Sequence, residues 1–502
     1  MAKIEASLKF ETVSALLNLF IFAQTEFVLK KLLNETIIYG IGAILPRIII
    51  FLLNPLYIHH INKDEFAQFT NLYALISFVN IVLTFGFETA YFRFSSEGEN
   101  KSKTFNTSFW FLAAFSAFFL ILCLLFSQPL SNVLGYGENP EYIRWFGWIA
   151  FFDTLCVIPF AWLRYHNKPV TYSMIRVVQS LIQTVIVIAL FLYIPLEISR
   201  QFGMNEKVSF PFYSNLLGSF AGVLLLLPII FKVRFEFAKD LFVRMIKYSW
   251  PIMVAGFAFM INENFDKAIQ YFFIDEGDAG AYGGCYKLAV LMTLFVTAYR
   301  MGIEPFFFKQ MQNENAKLTY AKVTEYFTFF ASIVAMGIIA NISWLKMIFI
   351  PNQSYWTAID IIPIIVIANL FFGIYYNLST WYKVTDRTKF GTLISWTGGI
   401  ITIVLNLVLL KKYGFMVSAW TTLAAYFAMM ILSYFLGQKY YPIPYRIKKL
   451  GICLLLLVIF SILSYKVFDA NLWIGNLLFL TFAGIILYFE KDFILGKLKK
   501  QA

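Results

Sequence analysis

From residue 37 onward the chain is a succession of long apolar runs broken by short polar segments, and this pattern limits what it can become. About 20 consecutive apolar residues carry a helix across the hydrocarbon core of a bilayer. Runs near that length fall at 37–58, 67–92, 105–126, 142–162, 171–194, 210–231, 248–273, 280–306, 324–345, 357–380, 390–410, 414–436, 450–466 and 472–489. Of 502 residues, 60% are hydrophobic and 14% charged, with a mean hydropathy of +0.69. A soluble multidomain enzyme and a disordered chain are both excluded. The expected fold is an all-α polytopic membrane protein of about 14 transmembrane helices.

The polar breaks carry the topology. The net charge of +12 sits in short loops, which argues against a nucleic-acid face. With the N-terminus placed inside, the cytoplasmic loops hold 28 Lys and Arg and the opposite loops hold 7. Lysine and arginine accumulate on the cytoplasmic side, so both termini are expected there. No break is long enough for an independent folded unit, which excludes an aqueous catalytic domain on a membrane anchor. Residues 1–27 stand apart as an N-terminal extension. Their apolar stretch VSALLNLFIFA (13–23) is too short to span, and Glu5, Glu11 and Glu26 around it make a poor secretory signal. Cys123, Cys156, Cys285 and Cys453 lie in or near apolar runs without paired spacing and read as buried thiols. With only His59, His60 and His166 and no HExxH or Cys-x-x-Cys motif, no metal or other cofactor is expected. The absence of GxxxxGK[ST] argues against direct ATP use within this chain.

Spans two and eight look alike. FAQFTNLYAL (66–75) and AGAYGGCYKL (279–288) share an aromatic at the fourth position and tyrosine at the eighth, and both spans close near a glutamate, Glu88 in FGFETAYFRF and Glu304 in GIEPFFF. Six spans apart, they have the same orientation, so the expected unit is a parallel six-helix repeat. The proposed divisions are a bundle at 28–232, a second at 233–436, and two additional helices with a tail at 437–502.

At this point the chain resembles a known family. YGIGAILPRIIIFLLNPLY (39–57), FGFETAYFRF (85–94), FDKAIQYFFIDEGDAGAYGGCYKLA (265–289), GTLISWTGGIITIVLNLVLLKKYGFMVSAW (391–420) and YYPIPYRIKKL (440–450) are similar, in order and spacing, to the Wzx-type polysaccharide and O-antigen flippases of the MOP exporter superfamily. The resemblance covers roughly residues 30–490. It implies translocation of an undecaprenyl-diphosphate-linked oligosaccharide across the bacterial inner membrane, for polysaccharide or lipopolysaccharide biosynthesis, by alternating access. The implied partners are that lipid, the surrounding membrane lipids and a polysaccharide polymerase, with no nucleic acid. Three rivals remain: a lipid II flippase, a multidrug cation antiporter of the same superfamily, and an intramembrane polymerase or glycosyltransferase. The last is disfavoured because the longest outer loops hold only Glu138, Glu141, Glu197 and Glu206.

Charges within the spans are the candidate site residues, because a charge at the bilayer centre costs about 2.5–3.5 kcal/mol and usually faces a pathway. Arg47, Lys287 and Arg300 are candidates for holding the substrate diphosphate, with Arg176 a further cation. Arg47, flanked by the helix-bending Pro46 and Pro55, either faces a phosphate or pairs with Asp153. Asp266, Glu263, Lys267, Asp153, Glu88 and Glu304 are candidates for coupling or ion pairing, and Asp360 is another acid within a span. Glu263 with Lys267 and Arg300 with Glu304 stand at i,i+4 and are expected to neutralise each other. Asp266 lacks such a partner and is the preferred titrating group.

Overall fold

The computed structural model describes residues 40, 42–96, 101–311 and 313–489, so the extension at 1–27 lies outside the described residues. Fourteen long helices follow in order: α1 (Gly42–His60), α2 (Lys63–Ser96), α3 (Lys101–Leu125), α4 (Glu141–Tyr165), α5 (Pro169–Leu192), α6 (Ser209–Ile230), α7 (Lys239–Phe273), α8 (Glu276–Gln310), α9 (Ala316–Ala340), α10 (Ile361–Val384), α11 (Lys389–Tyr413), α12 (Met416–Tyr440), α13 (Ile447–Val467) and α14 (Leu472–Phe489). Thirteen of these are long and apolar enough to cross a membrane. The exception is α7, 35 residues long, whose second half carries Asn262, Glu263, Asn264, Asp266 and Lys267. No strand occurs among the described residues.

Local chemistry sets where these helices begin and break. Asn62 caps α2: its side-chain oxygen accepts from the Glu65 backbone N–H at 2.7 Å, and its amide donates to the Glu65 carboxylate at 2.7 Å. Helix α1 loosens into a turn at Leu52–Leu53, directly ahead of Pro55, which cannot supply the next backbone donor. Helix α2 breaks at Phe85 and Gly86, both left-handed at φ of 50° and 69°. A side chain on Gly86 would stand 3.1 Å from the Ser249 carbonyl, one turn before α7 passes Pro251. Two helix interruptions therefore meet at one level of the α2–α7 seam.

The helices form two bundles built on the same plan. In the first, α1 packs on α5, α2 on α4, α3 on α4, α4 on α6 and α5 on α6. Six positions later α7 packs on α11, α8 on α10, α9 on α10, α10 on α12 and α11 on α12. The terminal ion pairs repeat as well. Arg164 at the end of α4 binds Glu88 on α2, and Lys383 at the end of α10 lies 3.1 Å from Glu304 on α8. The weak sequence likeness of spans two and eight thus reflects a full parallel repeat.

The bundles meet along α2, which packs against both α7 and α8. One end of the seam is pressed shut. There the Tyr355 hydroxyl donates to the Ile61 carbonyl at 2.8 Å, and a Cβ on Gly280 would stand 1.6 Å from the Lys63 carbonyl oxygen. A single large apolar core runs through both bundles, this end included. A second core joins α2, α3, α4 and α6 to the first turns of α7 at the other end. Helix α8 follows the same gradient, buried at Tyr282, Cys285 and Leu288 and half-exposed at Thr293, Tyr299 and Arg300.

Helices α13 and α14 dock on the outer face of α9. Their anchor is Glu325 of α9, whose side chain is 7% exposed, with Lys449 Nζ at 2.8 Å and Arg446 at 3.7 Å. Replacing Glu325 by Ala strands Lys449 without its counter-charge. We expect a loss of about 1–3 kcal/mol, since Lys449 keeps partial access to solvent. It is read as a lower thermal midpoint in detergent and as faster proteolysis of the α12–α13 connection. An unchanged midpoint would show that apolar packing alone holds the pair.

Candidate functional site

A polar cavity of about 350 Å³ opens inside the first bundle, lined by Arg47 of α1, Asn80 of α2, Asp153 of α4, Arg176 and Gln183 of α5 and Asn215 of α6, among others. Its walls come from five helices, so apolar sequence periodicity alone does not reveal it. Gly218 and Gly222 on α6 make the room: a Cβ on either would come to about 3 Å from the side chains of Gln183 and Gln179. At 1.5 Å per residue, Asp153 lies about 18 Å from the start of α4, near the middle of that helix.

The charges here are unevenly matched. Arg47 is exposed to the cavity, and the charged side chains near enough to act on it are Arg300 and Arg176. Asp153 interacts with Arg176 and is hydrogen-bonded to Ser219. The expected Arg47–Asp153 pairing does not form among the described residues, although both line the cavity. Arg176 rests its guanidinium 3.9 Å from the Phe160 ring centre, and Arg300 sits 5.3 Å from that of Tyr376. Arg47 and Arg176 thus share this cavity with one carboxylate. The expected Arg300–Glu304 pair is also corrected: the ion-pair contact of Glu304 is with Lys383, while Arg300 sits against Tyr376 and acts on Glu304 from farther away. An i,i+4 relation fixes only the helix face, and a neighbouring helix supplied the nearer ammonium.

Deeper towards the shut end lies a second cavity of about 210 Å³, lined by Thr70, Tyr73, Glu263, Lys267, Tyr286 and Lys287. Here both sequence assignments fail. Lys267 does not bind the Glu263 carboxylate; its ammonium lies 3.0 Å from Asp266 Oδ1 and donates to the Glu263 backbone carbonyl at 2.7 Å. Asp266 is not without a partner, since Tyr282 also donates to it at 2.5 Å. The Glu263 carboxylate instead accepts from the Tyr426 hydroxyl, reaching across to α12. Adjacent residues face each other here because both side chains fold towards one buried pocket. Lys287 lies 5.5 Å from the Phe69 ring centre and makes no ion pair among the described residues. Asp360, just ahead of α10, lies 2.7 Å from Lys466 and lines a separate cavity.

This network touches the seam. The Asn71 amide donates to the Ala268 carbonyl at 2.7 Å, two residues beyond Asp266, while Tyr136 donates to Asn71 and stacks on Tyr271 at 5.3 Å. Tyr426, Tyr282, Asn71, Asn80, Gln179 and Gln183 escaped the sequence reading, which weighed only charges. The amides did leave a signal, as polar residues within apolar spans.

We expect Asp266→Asn to impair transport and stability more than Glu263→Gln. Asp266→Asn leaves the Lys267 ammonium, 11% exposed, without a counter-charge, at about 3–5 kcal/mol. Gln at 263 can still accept from Tyr426. Adding Lys267→Met to Asp266→Asn should restore the thermal midpoint, because neutralising both partners removes the stranded charge. Equal, mild effects of the two single changes would make these packing charges.

Comparisons with known proteins agree with this architecture. The family of polysaccharide biosynthesis proteins matches residues 32–311. A lipid II flippase, MurJ, in an inward closed conformation, superposes with a TM-score of 0.71 at 18% identity, covering 91% of this chain and 100% of that one. An inward-facing multidrug resistance MATE family transporter of the MOP superfamily gives 0.62 at 13% identity, over 80% of this chain and 94% of that one. A Vibrio cholerae MATE transporter gives 0.57 at 14% identity, over 83% and 97%. These identities establish a shared fold. A search of curated proteins found no match.

Proposed function

For this chain, which belongs to the polysaccharide biosynthesis protein family, we propose a role as a flippase that carries a polyprenyl-diphosphate-linked oligosaccharide between membrane leaflets by alternating access. The solved proteins that share its fold are a lipid flippase and transporters rather than enzymes. The observation that carries the reading is a cavity lined by two guanidiniums, Arg47 and Arg176, and one carboxylate, Asp153, with Arg300 near enough to act on Arg47. A diphosphate carries about two negative charges and does not cross hydrocarbon bare. Guanidinium forks match its oxygens in pairs, and the cavity offers them within the membrane span.

The same imbalance argues against cationic drugs as the cargo. From the distribution of lysine and arginine we read both termini, and the end of the seam opposite Tyr355 and Gly280, as cytoplasmic in a bacterial inner membrane. The shut end then faces outward, and the flippase rests with its cation site towards the leaflet where lipid-linked sugars are assembled. A polysaccharide polymerase acting on the product is the partner this direction calls for, and an O-antigen-type glycan is the cargo favoured by the sequence resemblance.

The test uses the full chain in liposomes with fluorescent undecaprenyl-diphosphate saccharide, and a membrane-impermeant quencher to count molecules in the outer leaflet. Flipping of that lipid, with lipid II carried at least tenfold more slowly, supports the reading. Preferential flipping of lipid II reassigns the cargo to the peptidoglycan precursor. Export of a cationic dye with neither lipid flipped would overturn it.

A further inference from the structure

The arginines account for an anion, but not for the other half of the cavity wall. Gln179 and Gln183 stand one helical turn apart on α5 and share a face. Asn80 of α2 and Asn215 of α6 line the same space. Burying an amide among apolar helices is costly unless its donors and acceptors are met. Two acceptors in this wall are not met: Asn80 Oδ1 and Thr154 Oγ1 are both buried and without a hydrogen-bond partner. Gly218 and Gly222 keep the space open, because any side chain there would push into the two glutamines.

We propose that this amide-lined pocket seats an uncharged sugar ring, the one nearest the diphosphate, while Arg47, which lines the same cavity, holds the phosphates. The proposal rests on the flippase reading and adds what the cavity recognises. Amides and hydroxyls each donate and accept, which is the complement of a ring that carries several hydroxyls, each also donor and acceptor. An apolar chain would leave Asn80 and Thr154 unpaired, and a phosphate, largely an acceptor, matches their unmet oxygens poorly. A site built to hydrogen-bond hydroxyls rejects a ligand that lacks them, because its own polar groups then stay unpaired. The pocket therefore makes the carrier sensitive to whether a sugar is attached at all.

The experiment measures binding of two probes to the purified full chain: undecaprenyl diphosphate bearing one N-acetylhexosamine, and bare undecaprenyl diphosphate. Wild type should bind the sugar-bearing probe roughly tenfold more tightly, the effect of one or two well-made neutral hydrogen bonds. Gln183→Leu and Asn80→Leu should bring that ratio close to one, with a thermal midpoint near that of wild type to show that the variants fold. Where a leucine variant loses both probes, Gln183→Met or Asn80→Ser is read in its place. Arg47→Ala should weaken both probes equally. A wild-type ratio near one, or a ratio that survives both amide changes, overturns the sugar pocket and leaves the flippase reading standing. Failure of wild type to bind either probe overturns both.

Discussion

Arg47→Ala is expected to slow flipping severely, and removing Asp153 as well is not expected to restore it. The guanidinium faces the cavity with Arg300 and Arg176 as its charged neighbours, while Asp153 is engaged by Ser219 and Arg176. Arg47 is therefore held among like charges, an arrangement that an anion relieves. A hydrogen bond to a charged group contributes about 1.5–3 kcal/mol, so losing one fork should slow flipping by roughly ten- to a hundredfold. Arg47→Lys keeps the charge but not the planar fork, and should fall between wild type and Ala. Recovery in the Arg47→Ala, Asp153→Ala double variant would show that the two were only a structural pair. Wild-type flipping by Arg47→Ala alone would remove Arg47 from the substrate path.

Gly280→Ala should be as damaging by a different route. The new methyl would lie 1.6 Å from the Lys63 carbonyl oxygen and 3.1 Å from the Ala67 backbone nitrogen. No rotamer relieves a contact with backbone, so α2 and α8 must separate and the shut end must open. Alternating access needs both ends to close in turn, and flipping should drop at least tenfold, about 1.4 kcal/mol or more. A cysteine placed at Thr70, which is buried on α2 beside Gly283, should become reachable by a membrane-impermeant maleimide in the Gly280→Ala protein. Gly302→Ala is the control: on the same helix nothing lies within 4 Å of its would-be Cβ, and it should be silent. Normal flipping by Gly280→Ala would mean that this end never needs to close so tightly.

Much of this fold was legible from the sequence because membrane insertion is a local problem. Each span must satisfy its own backbone and carry its own apolar length, so fourteen runs became fourteen helices. Pro55 marked the break in α1 for the same local reason, its missing donor. The six-span offset between FAQFTNLYAL and AGAYGGCYKL is matched by helix packing partners that recur six helices later.

Charge partnership was a different matter. Helical spacing put Lys267 with Glu263 and Arg300 with Glu304, yet the bundles gave Lys267 to Asp266, Glu304 to Lys383 and Glu263 to Tyr426. A helix presents a residue on a face, and the sequence states which face. Which other helix lies against that face, and at what depth, depends on packing among segments distant in the chain, 79 residues apart for Glu304 and Lys383 and 163 for Glu263 and Tyr426. In hydrocarbon a buried charge takes the partner that desolvates it least, wherever in the chain that partner originates. The same holds for the amide pocket. Its glutamines and asparagines come from separate helices, and only the closeness allowed by Gly218 and Gly222 makes them one wall. The sequence by itself determined the number of helices and their apolar length; the tertiary structure decided which polar groups face one another, because burial among neighbouring helices selects the partner even where, as for Lys267 and Asp266, that partner lies on the same helix.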